Sequence, residues 1–519
     1  MILQRRRDSP DTDLHFVGLD GAAEHSTLGR FLDEALLLAT SLHAHGLRTG
    51  DIVAIRGANT LPYSRAVVAS LLAGLTTLPL VSLLGDSDVE QVLALSGANL
   101  LLSERTGPKR PLTEHLAALA AAGSPGVALI GDGVPVPGTI TLPRSRDQWP
   151  ADQFPAKRTA PAFLLYTSGT TGVPRGVLHG YDSILAEVLD WSTSTDLADG
   201  GHVFEPFPLG HIAGLDSLLV SVCLGRDLTM ISTWDAAIAA DALEAYGATA
   251  AGSTPFYAST LFDEFDRRGT TRTSLSTLQS GGGAVGSQLV RRAEKYGIRM
   301  ARAYGSTEHP SATACRSGES LAERADTDGC PTGGSEVRIV DDAGIEVAEG
   351  GVGEVQLRGP EQFLGYLDGG TDSFAEDGWF RTGDLGRLSG GRLTITGRKK
   401  DIIIRGGENI SVVEVEQILS GCPGVEAAAV IGVPDERYGE RMLAFVVRSS
   451  AGPEVDLESV RAHFTAAGVA RHKIPEWVRE IDDLPRNALG KVQKHLLPVG
   501  DGDPQIRAPS YLPRLPMKS

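Results

Sequence analysis

Apolar and polar positions along this chain follow two rhythms. Between Thr27 and Gly46, Phe31, Leu32, Ala35, Leu36, Ala39 and Leu42 recur on one helical face, and Gly46 supplies a C-terminal stop. Short apolar runs then alternate with helical stretches. Strands are expected at 51–55, 77–81 and 99–102, with helices at 63–74 and from 87 to 95, the second opened by the capping-box pattern Ser87-Asp88-Val89-Glu90. The alternation resumes with strands at 203–206, 228–232, 249–252 and 299–304 and helices at 216–224 and 236–246. Strands interleaved with helices imply a mostly parallel sheet covered on both faces. From Glu336 the texture changes to strands joined by Gly- and Asp-rich turns, at 337–340, 354–358 and 392–396. Beyond 397, strands at 402–404, 426–431, 443–447 and 477–481 and helices at 411–419 and 457–467 suggest a small separate unit, and the Pro-containing tail from 501 is expected to be irregular.

The fold class read from this pattern is α/β: a large N-terminal domain of parallel-type layers with a β-rich subdomain, then a small α+β C-terminal domain. The expected divisions are 1–396, a connection at 397–400, 401–500, and the tail 501–519. A length of 519 residues suits several units at about 100–200 residues each. Hydrophobic content of 41% and charged content of 22% describe a globular chain, and a net charge of -17 argues against a broad nucleic-acid or anionic-membrane surface. Cys223, Cys315, Cys330 and Cys422 lie far apart without CxxC pairing, which disfavours a disulfide framework or zinc site and fits a reducing cytoplasm. No apolar run approaches the length of a membrane span.

The chemistry begins at Tyr166-Thr167-Ser168-Gly169-Thr170-Thr171-Gly172-Val173-Pro174-Arg175-Gly176-Val177, directly after the apolar run 162–165. Hydroxyls on Thr167, Ser168, Thr170 and Thr171, turn-permitting glycines and the Arg175 guanidinium are what a chain needs to grip polyphosphate at a strand end. The spacing is not that of a Walker A loop. A Ser/Thr/Gly-rich surface loop is the alternative from this stretch alone.

Five further stretches follow in order: Tyr304-Gly305-Ser306-Thr307-Glu308, Gly353-Glu354-Val355-Gln356-Leu357-Arg358-Gly359, Trp379-Phe380-Arg381-Thr382-Gly383-Asp384, Gly397-Arg398-Lys399-Lys400-Asp401 and Pro485-Arg486-Asn487-Ala488-Leu489-Gly490-Lys491. Taken singly, Glu308 could hold Mg²⁺ or lie in a solvated acidic loop, Asp384 reads most simply as a turn former, and Lys491 as an exposed lysine. Together with the phosphate loop they resemble the adenylate-forming superfamily of acyl-CoA synthetases, peptide-synthetase adenylation domains and beetle luciferases, over about Thr27 to Lys494.

That resemblance implies a large N-terminal domain and a small mobile C-terminal lid with the active site between them, and ATP, Mg²⁺ and coenzyme A as the molecules used. It implies that Thr167, Ser168, Gly169, Thr170, Thr171, Gly172, Arg175, Tyr304, Gly305 and Thr307 bind the nucleotide, with Tyr304 against adenine. Thr167 and Glu308 would hold Mg²⁺, and Asp384 and Arg398 the ribose. Lys491 would be the catalytic lysine bridging the substrate carboxylate and the α-phosphate, and Lys400 the hinge about which the lid turns. Gly406 and Gly407 would line the CoA channel. One departure is Arg175, where the family usually carries Lys; charge is kept while a planar fork replaces a point charge.

His211, in Pro208-Leu209-Gly210-His211-Ile212-Ala213-Gly214, matches a position beside the family's acyl pocket, although a satisfied core or surface histidine is the simpler local reading. Ile212, Leu215, Gly282, Gly283 and Ala303 would add an apolar lining with small residues, suited to a nonpolar acyl or ring group. The Phe-Asp-x-Ser segment of amino-acid-activating relatives is missing. The expected function is therefore an acid–CoA ligase acting on a small fatty, alicyclic or aromatic carboxylic acid, as a cytoplasmic monomer or homodimer. An acyl-AMP ligase loading a separate carrier protein is the close rival; an ATP-binding module without turnover and a luciferase-like oxygenase are more distant ones.

Overall fold

The structure is a computed structural model that describes residues 1–80, 84–107, 110–123, 125–143, 160–167, 174–197, 200–316, 318–405, 408–435, 437–449, 452–487 and 490–499. The phosphate-loop residues Ser168, Gly169, Thr170, Thr171 and Gly172, the channel candidates Gly406 and Gly407, and the 501–519 tail lie outside the described residues. Two compact units are present: Met1–Val337 with Leu357–Phe380, and Arg338–Gln356 with the chain from Arg381 onward.

The first unit holds two sheets. In the seven-stranded sheet the order is Gly365–Tyr366, Arg175–Gly180, Pro161–Thr167, Thr76–Leu80, Ile52–Arg56, Leu100–Ser103 and Gly126–Leu129. From Pro161–Thr167 to Gly126–Leu129 every neighbouring pair is parallel, whereas Arg175–Gly180 is antiparallel to both of its neighbours. Leu100, Leu101 and Leu102 are all buried, as strands covered on both faces require, which is why such segments read as unbroken apolar runs. The nine-stranded sheet runs Cys330–Pro331, Thr313–Ala314, Arg299–Tyr304, Thr277–Ser280, Ala250–Ser253, His202–Glu205, Asp227–Ile231, Asp13–Val17 and Ala23–Thr27. From Arg299–Tyr304 to Asp13–Val17 every neighbouring pair is parallel.

The helix Leu28–His45 starts where Thr27 accepts a hydrogen bond from the Arg30 amide and ends at Gly46 in the left-handed conformation. Its buried face is Phe31, Leu32, Ala35, Ala39 and Leu42, and burial of each large side chain contributes about 1.5–3 kcal/mol. The next helix does not start with the expected Ser87 capping box: Asp86–Ser96 has Gly85 as its N-cap, which has no side chain to cap with, and the Gly85 amide donates to Asp88 Oδ2 at 3.1 Å. The physical reason is Asp86, whose carboxylate pairs with Arg56 at 3.0 Å and Arg110 at 2.5 Å and so fixes the first turn.

In the second unit, the strands Glu336–Val340, Val352–Arg358, Phe380–Ser389 and Arg392–Arg398 make a four-stranded sheet, each contributing most of its length. A second sheet is ordered Glu408–Ser411, Ile402–Arg405, Gly439–Arg448 and Val425–Asp435, with Trp477–Glu480 also pairing to Gly439–Arg448. The helices Val412–Ser420 and Leu457–Ala466 bury Val415, Leu419, Val460 and Phe464 against Ile403, Met442 and Ala444. Ser411 caps the first of these by accepting the Glu414 amide, and the Glu414 carboxylate accepts from Lys473 Nζ at 2.6 Å.

Candidate active site

The strand Pro161–Thr167 is apolar and buried from Ala162 to Leu165 and returns antiparallel as Arg175–Gly180. Thr167 stands directly opposite Arg175 in the register, so these two residues close the base of the hydroxyl-rich segment. Arg175 extends over a residue from far along the chain: its guanidinium carbon lies 3.6 Å from the centroid of the Tyr366 ring, and Nη2 lies 3.5 Å from Asp368 Oδ1. The cause is the two-residue strand Gly365–Tyr366, which pairs with the outer edge of Arg175–Gly180 and sets Tyr366 opposite Val177. Phe363 packs edge-on against the Tyr366 ring at 4.9 Å. A planar cation over a ring held this way uses geometry that a lysine ammonium lacks.

Glu308 arrives from the other sheet, in the turn after Arg299–Tyr304. Gly305 opens that turn because a Cβ there would run into the Pro310 carbonyl oxygen. Inside the turn the Ser306 amide donates to the His309 carbonyl at 2.9 Å, and the His309 amide to Ser306 Oγ at 3.3 Å. His179 Nε2–H donates to the Thr307 carbonyl at 2.6 Å, with Ser183 Oγ at 3.2 Å from Nδ1. Burial pushes the His179 pKa down to about 4, so the ring is neutral and keeps this tautomer. The Glu308 carbonyl accepts the Phe363 amide at 2.9 Å, and its Oε1 accepts the Tyr366 hydroxyl at 2.9 Å. Burial and the Glu308 charge push the Tyr366 phenol up to about 12, so it remains a donor.

Thr167, Arg175, Tyr366 and Glu308 thus form one continuous run of contacts across two sheets. The Glu308 carboxylate on the Tyr366 hydroxyl, with the Arg175 guanidinium over the same ring, is a donor set that suits Mg²⁺ carrying phosphate oxygens, because that ion takes few protein ligands and keeps waters. Tyr304 ends its strand opposite Thr313.

The acyl-pocket candidates lie at or after the carboxyl ends of parallel strands of the nine-stranded sheet, where α/β sheets place their ligands. His211, after His202–Glu205, is the N-cap residue of the helix Ile212–Leu224, and its burial lowers the imidazole pKa to about 4. Ile212 packs against the main core, and Leu215 is wholly inside it. Gly282 and Gly283 follow Thr277–Ser280, whose neighbour carries Ala303; a Cβ at Gly281 would lie 2.9 Å from the Ala303 carbonyl oxygen. The Gly281 amide donates to Ser253 at 3.1 Å, tying this turn to Ala250–Ser253. Phe207 reaches the same strand at Gly252 and contacts Tyr257, which stacks on Trp234 at 4.3 Å.

In the second unit Asp384 and Arg398 are register partners joined at 2.9 Å, with Asp384 buried. The Asp384 amide donates to Thr382 Oγ1, whose hydroxyl donates to the Val355 carbonyl at 2.7 Å. Lys399 pairs with Glu354 at 3.1 Å and Asp342 at 3.3 Å; Lys400 follows it in the short turn Lys399–Asp401. Lys491 is exposed, and its amide donates to Asn487 Oδ1 at 3.0 Å.

The profile of the AMP-binding enzyme family matches residues 4–367, well over half of the chain. The chain belongs to the AMP-binding enzyme family. The AMP-binding enzyme C-terminal domain matches 414–491. Similar members include the medium-chain fatty-acid–CoA ligase of Escherichia coli K12, 32% identical over 484 residues that cover 89% of this chain and 83% of that one. The feruloyl-CoA synthase of Amycolatopsis sp is 33% identical over 463 residues, covering 88% and 90%. Among solved structures, ATP-bound MatB from Rhodopseudomonas palustris superposes with a TM-score of 0.80 at 25% identity, covering 96% of this chain and 97% of that one.

Within this AMP-binding enzyme the residue that sequence reasoning missed is Tyr366. An aromatic residue between Gly365 and Leu367 shows no chemistry by itself; only the pairing of its short strand places the hydroxyl on Glu308. Phe207, Trp234 and Tyr257 were missed for a similar reason, because they meet through separate strand ends.

Proposed function

We propose that this AMP-binding enzyme is an ATP- and Mg²⁺-dependent carboxylic acid–CoA ligase. The acid's carboxylate attacks the α-phosphate of ATP to give acyl-AMP and pyrophosphate; the CoA thiol then displaces AMP and yields the thioester. The observation that supports this reading is the run Thr167–Arg175–Tyr366–Glu308, which links a carboxylate and a cation, through one tyrosine, to the two strand ends that flank the hydroxyl-rich segment.

In this reading Arg175 binds phosphate oxygens as a stacked fork, and Ser168, Gly169, Thr170, Thr171 and Gly172 supply loop donors to the same phosphates. Mg²⁺ held by Glu308 and Thr167 would supply charge neutralisation at the phosphates. Tyr304, with Gly305 and Thr307, faces the adenine end, and Asp384 and Arg398 hold the ribose hydroxyls. Lys491 stabilises negative charge gathering between carboxylate and α-phosphate. Lys400 serves as the pivot between the domains, and Gly406 and Gly407 line the path of CoA.

The acid is nonpolar. A neutral His211 offers no cation to a second charged group, and Ile212, Gly282, Gly283 and Ala303 offer small or apolar surfaces. Relatives named for medium-chain fatty acids and ferulate support that class. The four free thiols fit a cytoplasmic setting.

The test is pyrophosphate and AMP release from ATP across straight-chain, alicyclic, aromatic and amino acids, each with and without CoA. CoA-stimulated turnover with one nonpolar class is expected. Release that CoA leaves unchanged would move the acceptor to a carrier protein, and silence across the panel would defeat the reading.

A further inference from the structure

At the far edge of the nine-stranded sheet, Asp13–Val17 and Ala23–Thr27 form an antiparallel hairpin. The register sets His15 directly opposite His25. Asp13 precedes His15 by two residues and therefore projects from the same face of the sheet. His25 Nε2 lies 2.7 Å from Asp13 Oδ1, and the two imidazole rings are 4.9 Å apart. One ligand atom from each of the three residues lies within 4.8 Å of the other two, a spacing met by no other group of His, Cys, Asp and Glu among the described residues.

The cluster is held from behind. Tyr246 stacks on His15 at 4.2 Å and 25°, so that ring is confined between Tyr246 and His25. Asp227, at the start of the next strand, accepts the Asp13 amide at 2.9 Å and fixes the backbone that carries the carboxylate. Asp13 and His25 are exposed, which leaves the cluster open to solvent.

We propose that Asp13, His15 and His25 form a binding site for a borderline divalent cation of the Zn²⁺ class, with a fourth position for water. Two imidazoles and one carboxylate select Zn²⁺, Co²⁺ or Ni²⁺ over the oxygen-preferring Mg²⁺. Ligand bonds of about 2.0–2.2 Å in a tetrahedral site put donor atoms about 3.4 Å apart, a separation reached by small side-chain shifts that replace the Asp13–His25 hydrogen bond. The ion would cross-link the last strand of the sheet, which is paired on one side only, to its neighbour. It acts as a staple on an edge strand, apart from the residues assigned to ligase chemistry.

The test uses the untagged full-length chain, stripped with chelator and free of nucleotide and Mg²⁺. Co²⁺ is followed by visible absorption and Zn²⁺ by calorimetry and thermal unfolding, for the parent chain, His25→Ala and His15→Asn. Expected are one equivalent of Co²⁺ with the intense bands of four-coordinate geometry and a Zn²⁺-dependent rise in melting temperature. Both variants should weaken binding at least about tenfold and lose the thermal shift while keeping the parent's far-UV spectrum. Because the chain carries 12 histidines, undiminished binding in both variants would place the metal elsewhere and overturn the proposal, as would the absence of bands and of thermal shift in the parent chain.

Discussion

The hydroxyl of Tyr366 donates to the carboxylate of Glu308 at 2.9 Å. Because Arg175 covers the same ring, one aromatic side chain orients both the anion and the cation of the proposed phosphate site.

Tyr366→Phe keeps the ring beneath Arg175 and removes the hydrogen bond to Glu308. Loss of a bond to a charged acceptor is worth about 1.5 kcal/mol, so we expect roughly a tenfold drop in kcat/KM for pyrophosphate formation. The drop should be accompanied by a higher Mg²⁺ requirement. A magnesium titration of both proteins checks it; an unchanged profile would remove Tyr366 from the site.

Arg175→Lys keeps charge and gives up the stacked fork. A contact of this kind contributes about 0.5–1 kcal/mol, so KM for ATP should rise about two- to fivefold with kcat little altered. Arg175→Ala should rise further. Equal kinetics for Lys and Ala would mean that the cation does not touch phosphate.

Glu205 gives a pH prediction. Its carboxyl accepts the Phe207 amide, and burial pushes its pKa up to about 8, so in the folded chain it stays protonated at neutral pH. In the unfolded chain it ionises near pH 4.3. Between those values the folded state binds the extra proton, so this group's contribution to stability is full below pH 4 and is lost as pH rises to about 8. Glu205→Gln should melt like the parent at pH 4 and higher than it at pH 8, by on the order of 3 °C. Parallel calorimetric scans at the two pH values decide the sign.

Lys491→Ala should lower the rate of acyl-AMP formation roughly 100-fold or more. The side chain is exposed, so the melting temperature should stay within about 1 °C. Isotope exchange between pyrophosphate and ATP reports the step directly.

Much of the first unit was legible because parallel strands bury both faces: Leu100 to Leu102 could hardly be anything but a covered strand. The Thr27 to Gly46 helix was equally plain, since its cap, apolar face and stop are all local. The two-residue strands Thr313–Ala314 and Gly365–Tyr366 were not, because their conformation is imposed by the neighbour they pair with. The start at Gly85 was hidden for a similar reason, being set by the distant Arg56 and Arg110. At the site, Thr167, Arg175 and Glu308 announce themselves by charge and motif. Tyr366 lies 58 residues from Glu308, and no short pattern ties them.

The bond from His179 to the Thr307 backbone rivets the strand that starts at Arg175 to the turn that carries Glu308. The segments around His211 and Gly282 leave from other strand ends, after His202–Glu205 and Thr277–Ser280. On the roles proposed above, selection or engineering could rebuild the acid-choosing segments while this bond keeps the phosphate-binding half aligned. A lineage built this way can change its diet without relearning how to spend ATP.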